Sequence, residues 1–590
     1  MHRFRTATGR LLAQVRQWSR HDMLILAILA MVVGSATGGG VIIFREGIGL
    51  VQAVLLGSDT ERLAMHAQDL PWWRVVGAPC LGGLVVGLLI YRLLPGRRPH
   101  GVADAIEASA LKGGRMPASS GIVATVAAAL SIGSGASVGG EGPAVHLGAS
   151  LGSWIAARLH LTPTLSRTLL GCGAAAVVAA SFNAPIAGAL FANEVVIGHY
   201  ALRAFAPVVM AAVMGTFVSR AYYGDYPAFA VIETTAVSIW EFPAFIGLGI
   251  AAGLAGLLLI RAVAVAQAAA KRLPVPAWMR PAVGGLVVGL MAVPVPHVLG
   301  IGYGVTEAAL ANAMPFWILV LVCVAKLAAT AISLGFGFGG GVFSPSLVIG
   351  ATLGGAFGLL AASVFPEMSA GSSAYTIVGM DAMAAAVLGA PISTTLVIFE
   401  MTGDYKLTIA VMLAVVVGTL VCRPLHGGSF FTWQLRQRGL DLHGGFEAAL
   451  LRELPVGDVV VTACDVVGPE ATLESVRSRL QGSVTGHLFV IDDDHRLIGT
   501  ITLADLSEAA FDHDLDALIN AVDVARRQPP MVTIEDDLGH ALHVMRSSGD
   551  PHIAVVEDDE GRHFVGCLNE RDAMAAYNRA LLRVRREEQG

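Results

Sequence analysis

Apolar and polar positions divide this chain near residue 440. Before that point, long stretches carry no charge at all. Met23–Phe44 runs 22 positions without a charged residue, Phe242–Ile260 runs 19, Ala382–Phe399 runs 18 and Leu327–Pro366 runs 40. A helix needs about 20 apolar residues to cross a bilayer, so this part reads as a polytopic α-helical membrane region. Other apolar runs, such as Val75–Ile90 and Leu407–Cys422, are too short or too rich in glycine for clean spans. They predict helices that stop partway, buried against other protein. From residue 441 onward Asp, Glu and Arg become dense and the apolar runs shrink to strand length, which predicts a soluble α/β domain.

The membrane part repeats itself. "APIAGALFANE" spans Ala184–Glu194 and "APISTTLVIFE" spans Ala390–Glu400, each with a Glu nine residues after the proline. Upstream lie "GGEGP" (Gly139–Pro143) and "GVFSP" (Gly341–Pro345), both Gly-x-x-x-Pro and both opening an apolar helix. The two prolines of a pair are 42 residues apart in the first half and 46 in the second. Matched pairs in matched order predict two structural repeats, about 22–225 and 235–440, with interrupted helices around a site near the midplane. The soluble part repeats too. "HLFVIDDDHRLIGTITLAD" begins at His487 and "HIAVVEDDEGRHFVGCLNERD" at His552. Amphipathic helices around Leu473–Leu480 and Leu538–Met545 precede them, which gives repeats of about 455–512 and 518–578.

Charge changes this picture little. The net charge of −6 makes no case for a nucleic-acid partner. Residues 1–21 carry five arginines and no acid before Asp22, and the apolar stretch that follows is too long for a signal peptide. This predicts a cytoplasmic N-terminal segment, and Arg423, Arg436 and Arg438 put the other end of the membrane region on the same side. The six cysteines lie far apart, without metal-ligand or disulfide spacing.

A Gly-x-x-x-Pro loop that opens a helix inside a membrane leaves backbone N–H groups unpaired, and the helix dipole adds about half a positive charge there. Two such ends meeting would hold an anion without a full positive charge, so the anion could also leave. Glu141 reads as the single acid inside the spans. Deprotonated, its carboxylate would occupy the place of a permeating anion; protonated, it would swing away. The alternative is a carboxylate that only caps its helix.

"GGEGP", "FNAPIAGALFANE", "GGGVFSP" and "APISTTLVIFEMTG", in this order, resemble the CLC chloride channel and proton/chloride antiporter family. The paired soluble repeats resemble a CBS-domain pair, and the whole resembles a bacterial-type member of that family. The resemblance implies a fold of two inverted repeats with broken helices and a homodimer with one anion pathway per subunit. It also implies a multi-pass protein of the bacterial inner membrane with both termini cytoplasmic, chloride as the transported ligand, and no required cofactor.

By the same resemblance the gating glutamate falls on Glu141, flanked by Gly140 and Gly142, and the amides lining the anion site fall on Val342 and Phe343. Several positions depart from the family pattern. The loop that usually brings a serine hydroxyl to the anion matches Pro99–Ala103, which puts His100 in the serine's place. Either its imidazole donates to the anion, or the amides of Gly101 and Val102 act alone. The usual tyrosine becomes Phe431 in "SFFT". Gly140 replaces a residue that is often basic. The inward-facing glutamate of many antiporters becomes Val195, which cannot carry a proton. Glu194 and Glu400 read as helix-end stabilisers, and Asn183, His199 and Lys326 as packing residues. In the CBS pair, Thr502 with Asp505 and Asn569 with Asp572 match positions that hold an adenine nucleotide in similar pairs; many such pairs bind nothing.

The leading expectation is therefore a gated chloride channel, with a proton-coupled antiporter as runner-up. CBS pairs also accompany cation transporters, but no cluster of acids lines a span. An enzyme is disfavoured, since no Ser/His/Asp or metal-ligand spacing appears.

Overall fold

The computed structural model describes residues 22–57, 63, 69–198, 202–225, 229, 239–364, 366, 371–440, 451, 454–483, 485–506 and 519–589. The expected N-terminal segment, 1–21, and His199 lie outside them. The chain forms two compact units, Met1–Asp441 and Leu442–Gly590.

The first unit is helical. Its elements run α1 (Asp22–Leu56), α2 (Trp72–Leu93), α3 (Val102–Leu111), α4 (Ala118–Gly133), α5 (Glu141–Arg158), α6 (Pro163–Phe182), α7 (Pro185–Phe191) and α8 (Leu202–Tyr223). The second half runs α9 (Phe242–Arg272), α10 (Arg280–Ala292), α11 (Tyr303–Leu310), α12 (Phe316–Gly335), α13 (Phe343–Val364), α14 (Ser372–Leu388), α15 (Pro391–Thr402), α16 (Tyr405–His426) and α17 (Phe430–Arg436). Among the described residues, eight helices are long and apolar enough to cross a membrane. The rest are shorter, and α3, α7, α11 and α17 have ten residues or fewer.

The helices approach closely because small residues face one another. A side chain at Gly148 on α5 would strike the backbone of Gly173 on α6, and one at Gly379 on α14 would stand 2.6 Å from the carbonyl oxygen of Gly350 on α13. Lipid tails are as apolar as a leucine surface, so tight backbone packing is what holds such helices together. The halves match in detail. Asn183 (φ 59°) and Gly389 (φ 71°) end α6 and α14 in the left-handed conformation, and each is followed by the Ala-Pro that opens α7 or α15. The two acids at matched spacing then cross over. The Glu194 carboxylate accepts from Ile392 N (3.1 Å) and Ser393 N (2.8 Å) at the start of α15. The Glu400 carboxylate accepts from Ile186 N (3.0 Å) and Ala187 N (2.8 Å) at the start of α7. Each half thus caps the other's broken helix, in the helix-end role expected for both acids.

The second unit holds two matching α/β modules. The first runs β1 (Val466–Val467), α18 (Leu473–Gly482), β2 (His487–Ile491), β3 (Leu497–Thr502) and α19 (Ala521–Val524). The second runs β4 (Met531–Thr533), α20 (Leu538–Ser548), β5 (His552–Val556), β6 (Phe564–Asn569) and α21 (Glu570–Gln589). Each sheet pairs its first strand parallel and its third antiparallel to the middle one, with a register shift at Val490/Ile491 and at Val555/Val556. The segment before β1 pairs with β6 of the other module, through Val461 and Cys567. This brings Cys464 to Cys567, 103 residues away, in a disulfide with a Cα–Cα separation of 6.2 Å. The cysteine spacing had predicted no bridge. The pairing follows from the exchange of a strand segment between modules, which no linear spacing records.

Candidate functional site

The two Gly-x-x-x-Pro loops meet in the middle of the membrane unit. Gly139 N donates to Gly341 O (2.8 Å) and Gly341 N donates to Gly139 O (2.7 Å). Glycine suits this close approach: a Cβ on Gly142 would stand 3.2 Å from Gly341 Cα, and one on Gly341 would stand 3.0 Å from Gly142 N, both tighter than ordinary contacts. The N-termini of α5 and α13 are therefore held side by side, with their positive dipole ends facing the same space. Val342 and Phe343 are buried at the start of α13, and Phe182 stacks on Phe343 with ring centroids 4.9 Å apart.

Glu141 opens α5 and is buried. Its Oε1 accepts from Ser344 Oγ and from Tyr303 Oη (3.3 Å), and its Oε2 accepts from Ser344 N (3.4 Å). The carboxylate thus lies against the opposite repeat's helix N-terminus, where an anion would sit, and does not simply cap its own helix. Ser344 and Tyr303 escaped the sequence reading. Ser344 stands inside the quoted "GVFSP" loop and was legible as a hydroxyl donor beside the expected amides. Tyr303 is 162 residues from Glu141 and stands within the glycine-rich "GIGYG" segment, a loop signal without a partner in the sequence. Lys326, expected as a packing residue, is fully buried and donates from Nζ to Val298 O (3.1 Å) and Gly300 O (2.7 Å), so it anchors the segment that carries Tyr303. Glu141 is not the single acid within the spans. Asp381 on α14 is 1% exposed, and its Oδ2 has no hydrogen-bond partner among the described residues. It directly precedes the uncharged run Ala382–Phe399, so in the sequence it reads as that run's boundary.

Two cavities approach the glycine loops from opposite sides. One, of about 680 Å³, is lined by Gly140, Glu141, Tyr303, Tyr223 and Arg45 among others. A Cβ on Gly140 would stand 2.8 Å from Phe44 Cε1, so this chain fills with a ring from α1 the space a longer side chain would need. The other cavity, of about 250 Å³, is lined by His100, Gly101, Val102, Gly142, Phe431, Arg98, Lys271 and Arg438 among others. By the positive-inside rule this basic side is cytoplasmic. Phe431 and His100 therefore line one space.

His100 does not offer a ready donor. Its Nε2 is 3.0 Å from Pro95 O, and its Nδ1 is buried without a partner among the described residues. A neutral ring that gives its one N–H to Pro95 has none left for an anion. Gly101 N is likewise committed, donating to Asp104 Oδ2 (2.9 Å). Asp104 pairs with Arg98 (2.7 Å) and Arg438 (3.2 Å), which fixes α17 beside the start of α3. Behind His100 lies a residue the sequence reading did not single out. His146, on the helix that Glu141 opens, stands with its ring centroid 5.3 Å from that of His100. Val195 lies in the π-helical turn Ala192–Ile197 beyond α7, half-buried.

In the soluble unit, Thr502 N (2.8 Å) and Thr502 Oγ1 (2.7 Å) donate to Asp505 Oδ2, and Arg526 reaches Asp505 Oδ1 at 3.4 Å and Asp550 Oδ2 at 2.7 Å. Facing acids hold the Arg526 guanidinium above its ordinary range despite partial desolvation. Asn569 Oδ1 accepts from Arg571 N (2.7 Å), a local turn that leaves Asp572 on the first turn of α21. His487 and His552 face each other with centroids 4.8 Å apart, and burial pushes both imidazoles below their ordinary value.

Comparison with known proteins agrees with this architecture. The model of the voltage gated chloride channel family matches residues 82–423, and the CBS domain model matches 456–512 and 521–579. A ClcB-like chloride channel protein of Ralstonia nicotianae is 37% identical over 417 residues, covering 70% of this chain and 97% of its own. The voltage-gated ClC-type chloride channel ClcB of Escherichia coli (strain K12) is 33% identical over 416 residues, covering 70% and 98%. Among solved structures, a slow cyanobacterial Cl⁻/H⁺ antiporter matches with TM-score 0.63 at 24% identity, covering 70% of this chain and 97% of that one. A eukaryotic CLC transporter matches with TM-score 0.61 at 19% identity, covering 93% and 98%. The protein is thus an integral, multi-pass membrane protein with a C-terminal CBS pair, and it belongs to the voltage gated chloride channel family.

Proposed function

We propose that this protein is a passive, gated chloride channel whose gate is the Glu141 carboxylate. The observation that carries the passive reading is Val195, an alkyl side chain where a proton would have to be held on its way to the gate. The chloride channel names of the relatives from R. nicotianae and E. coli support the choice of anion. Glu141 takes the hydroxyl of Ser344 and the hydroxyl of Tyr303, the same donors a halide would take. Protonation removes the negative charge these donors hold, and the side chain leaves the pathway to a chloride ion. External acid therefore opens the gate. Glu141→Gln, which mimics the protonated carboxyl, conducts at every pH in a liposome chloride-efflux assay. A mutant that keeps the wild-type pH dependence refutes Glu141 as the gate.

A second reading, a proton-coupled antiporter, is favoured by one observation. His100 lines the cytoplasmic cavity, and its ring stands 5.3 Å from that of His146 on the helix that Glu141 opens, two adjoining imidazoles that could serve a proton relay. We further propose a homodimer. Ile186 on α7, Phe217 on α8, Ile392 on α15 and Val416 on α16 are each about half exposed or more, and a second copy would cover this face formed by both repeats. An adenine nucleotide at the CBS pair, with its ribose on Asp505, would compete there with Arg526.

A further inference from the structure

A third cavity, of about 150 Å³, lies beside the cytoplasmic one, at the ends of α2, α9 and α10. Four cations line it, Arg97, Arg98, Lys271 and Arg280, and no carboxylate is among its lining residues. Arg98 is paired with Asp104 at 2.7 Å, whereas Arg97, Lys271 and Arg280 have no carboxylate partner among the described residues, and such a cluster of like charge favours an anion joining it. One of these cations is held in place. Arg97 lies over the Tyr91 ring, 4.4 Å from its centroid, and donates to Tyr91 Oη at 3.1 Å. Arg280 Nε is buried with no hydrogen-bond partner among the described residues. A guanidinium N–H in that condition is a donor awaiting an acceptor.

The surroundings identify the acceptor. Trp278 also lines the cavity, and tryptophan concentrates where the bilayer meets water. Away from the cavity, toward the membrane centre, α2 and α10 pack without a gap: a Cβ on Gly289 would stand 2.7 Å from Val76 Cα. Their outer faces are apolar and exposed, through Val85 and Leu88 on α2 and Leu286 and Leu290 on α10. The basic cavity therefore opens at the end of an uncovered apolar strip. That combination fits one amphiphile, with its phosphate among the cations and its chains along the strip. We propose that this cavity binds the phosphate of an anionic phospholipid of the cytoplasmic leaflet. Basic pockets between spanning helices on that side are suited to such headgroups, and planar guanidinium groups to phosphate oxygens.

Arg98 and Lys271 line both this cavity and the one that leads to Phe431 and Gly142. A bound headgroup would offset their charge at the cytoplasmic mouth of the anion pathway. Anionic lipid should therefore slow chloride uptake from that side, and the slowing should vanish once the headgroup is not held.

Purified full-length protein in neutral detergent, titrated with dioctanoyl phosphatidylglycerol, tests the assignment by native mass spectrometry and thermal shift. Lipid adducts and a raised melting temperature are expected, with dioctanoyl phosphatidylcholine weaker. The double variant Arg97→Gln/Arg280→Gln should retain more than tenfold less lipid, and Arg97→Lys/Arg280→Lys, which keeps the charge, should retain an intermediate amount. Inorganic phosphate and glycerol phosphate separate a lipid from a soluble anion: the proposal requires that neither matches the lipid's shift at equal concentration. Equal lipid retention by the Gln variant, or an equal shift with inorganic phosphate, overturns it. A Gln variant too unstable to purify would leave the Lys variant to decide, with undiminished retention counting against the proposal.

Discussion

Tyr303→Phe removes the hydroxyl that ties the proposed gate, Glu141, to the loop before α11. The Tyr303 hydroxyl donates to Glu141 Oε1 at 3.3 Å, while its ring packs edge-on against Phe229 with centroids 5.1 Å apart. Phenylalanine keeps the ring contact and removes only the donor. A hydrogen bond to a charged group is worth about 1.5–3 kcal/mol. At 3.3 Å this one is longer than the usual O–H···O range, so about 1.4 kcal/mol, at or just under the lower bound, is a fair expectation. In the proposed gating scheme this bond belongs to the closed state, with Glu141 against Ser344. Its loss should therefore raise the ratio of open to closed gates about tenfold at fixed pH. Single-channel recording in planar bilayers at neutral pH reads that ratio, provided the wild-type open probability is well below one. Conductance while open should be unchanged, because the hydroxyl belongs to the closed geometry. An unchanged open probability, or a fall, would refute the view that Tyr303 latches the carboxylate.

Three further outcomes follow from the same geometry. Lys326→Met removes the donor held by Val298 O and Gly300 O, so the Tyr303 segment loosens and single-channel open probability should rise, in the same direction as Tyr303→Phe; an unchanged value would confine Lys326 to packing. Phe431→Tyr adds a hydroxyl to the cytoplasmic cavity that His100 lines, and should tighten chloride binding by calorimetry and sharpen selectivity among halides, nitrate and thiocyanate in bi-ionic reversal potentials; no change in either would remove Phe431 from the pathway. In the CBS pair, burial holds His487 and His552 below their ordinary value, so the unfolded chain binds protons that the fold refuses. Stability of that unit is then full above about pH 6.5, the unfolded histidine value, and falls as pH drops below it. Hydrogen exchange in β2 and β5 of the full-length protein, corrected for intrinsic rates, should show weaker protection at pH 5.5 than at 7.5, and His552→Asn should flatten the difference; equal protection in wild type would refute it.

Much of this was legible in the sequence because membrane and repeat constraints are written locally. Uncharged runs give spans, and Gly-x-x-x-Pro followed by Ala-Pro-Ile…Glu at near-equal spacing gives the two halves. Glu194 and Glu400 could be read as helix-end residues from their equivalent places, though not that each caps the other half. What stayed hidden depends on contacts across the repeats. Tyr303 reaches Glu141 over 162 residues and Lys326 serves a loop 26 residues behind it, and neither side chain belongs to a repeated motif. The Cys464–Cys567 bridge arises from strand exchange between modules. His100 was found by its position, but its orientation toward Pro95 is a backbone matter that residue type does not encode. Asp381 is the opposite case: a lone acid at the edge of an apolar run is visible in the sequence, but residue type alone marks it as the boundary of that run and not as part of the span.

The central claim is that chloride moves without a coupled proton, because Val195 interrupts the route. Purified protein in liposomes carrying a chloride gradient, with a chloride electrode and a pH electrode recording the same sample, tests this most directly. The account predicts chloride efflux that needs only an ionophore to dissipate charge, with no proton movement against its own gradient. Uphill proton movement at a fixed ratio to chloride would contradict it and favour the proton-coupled antiporter.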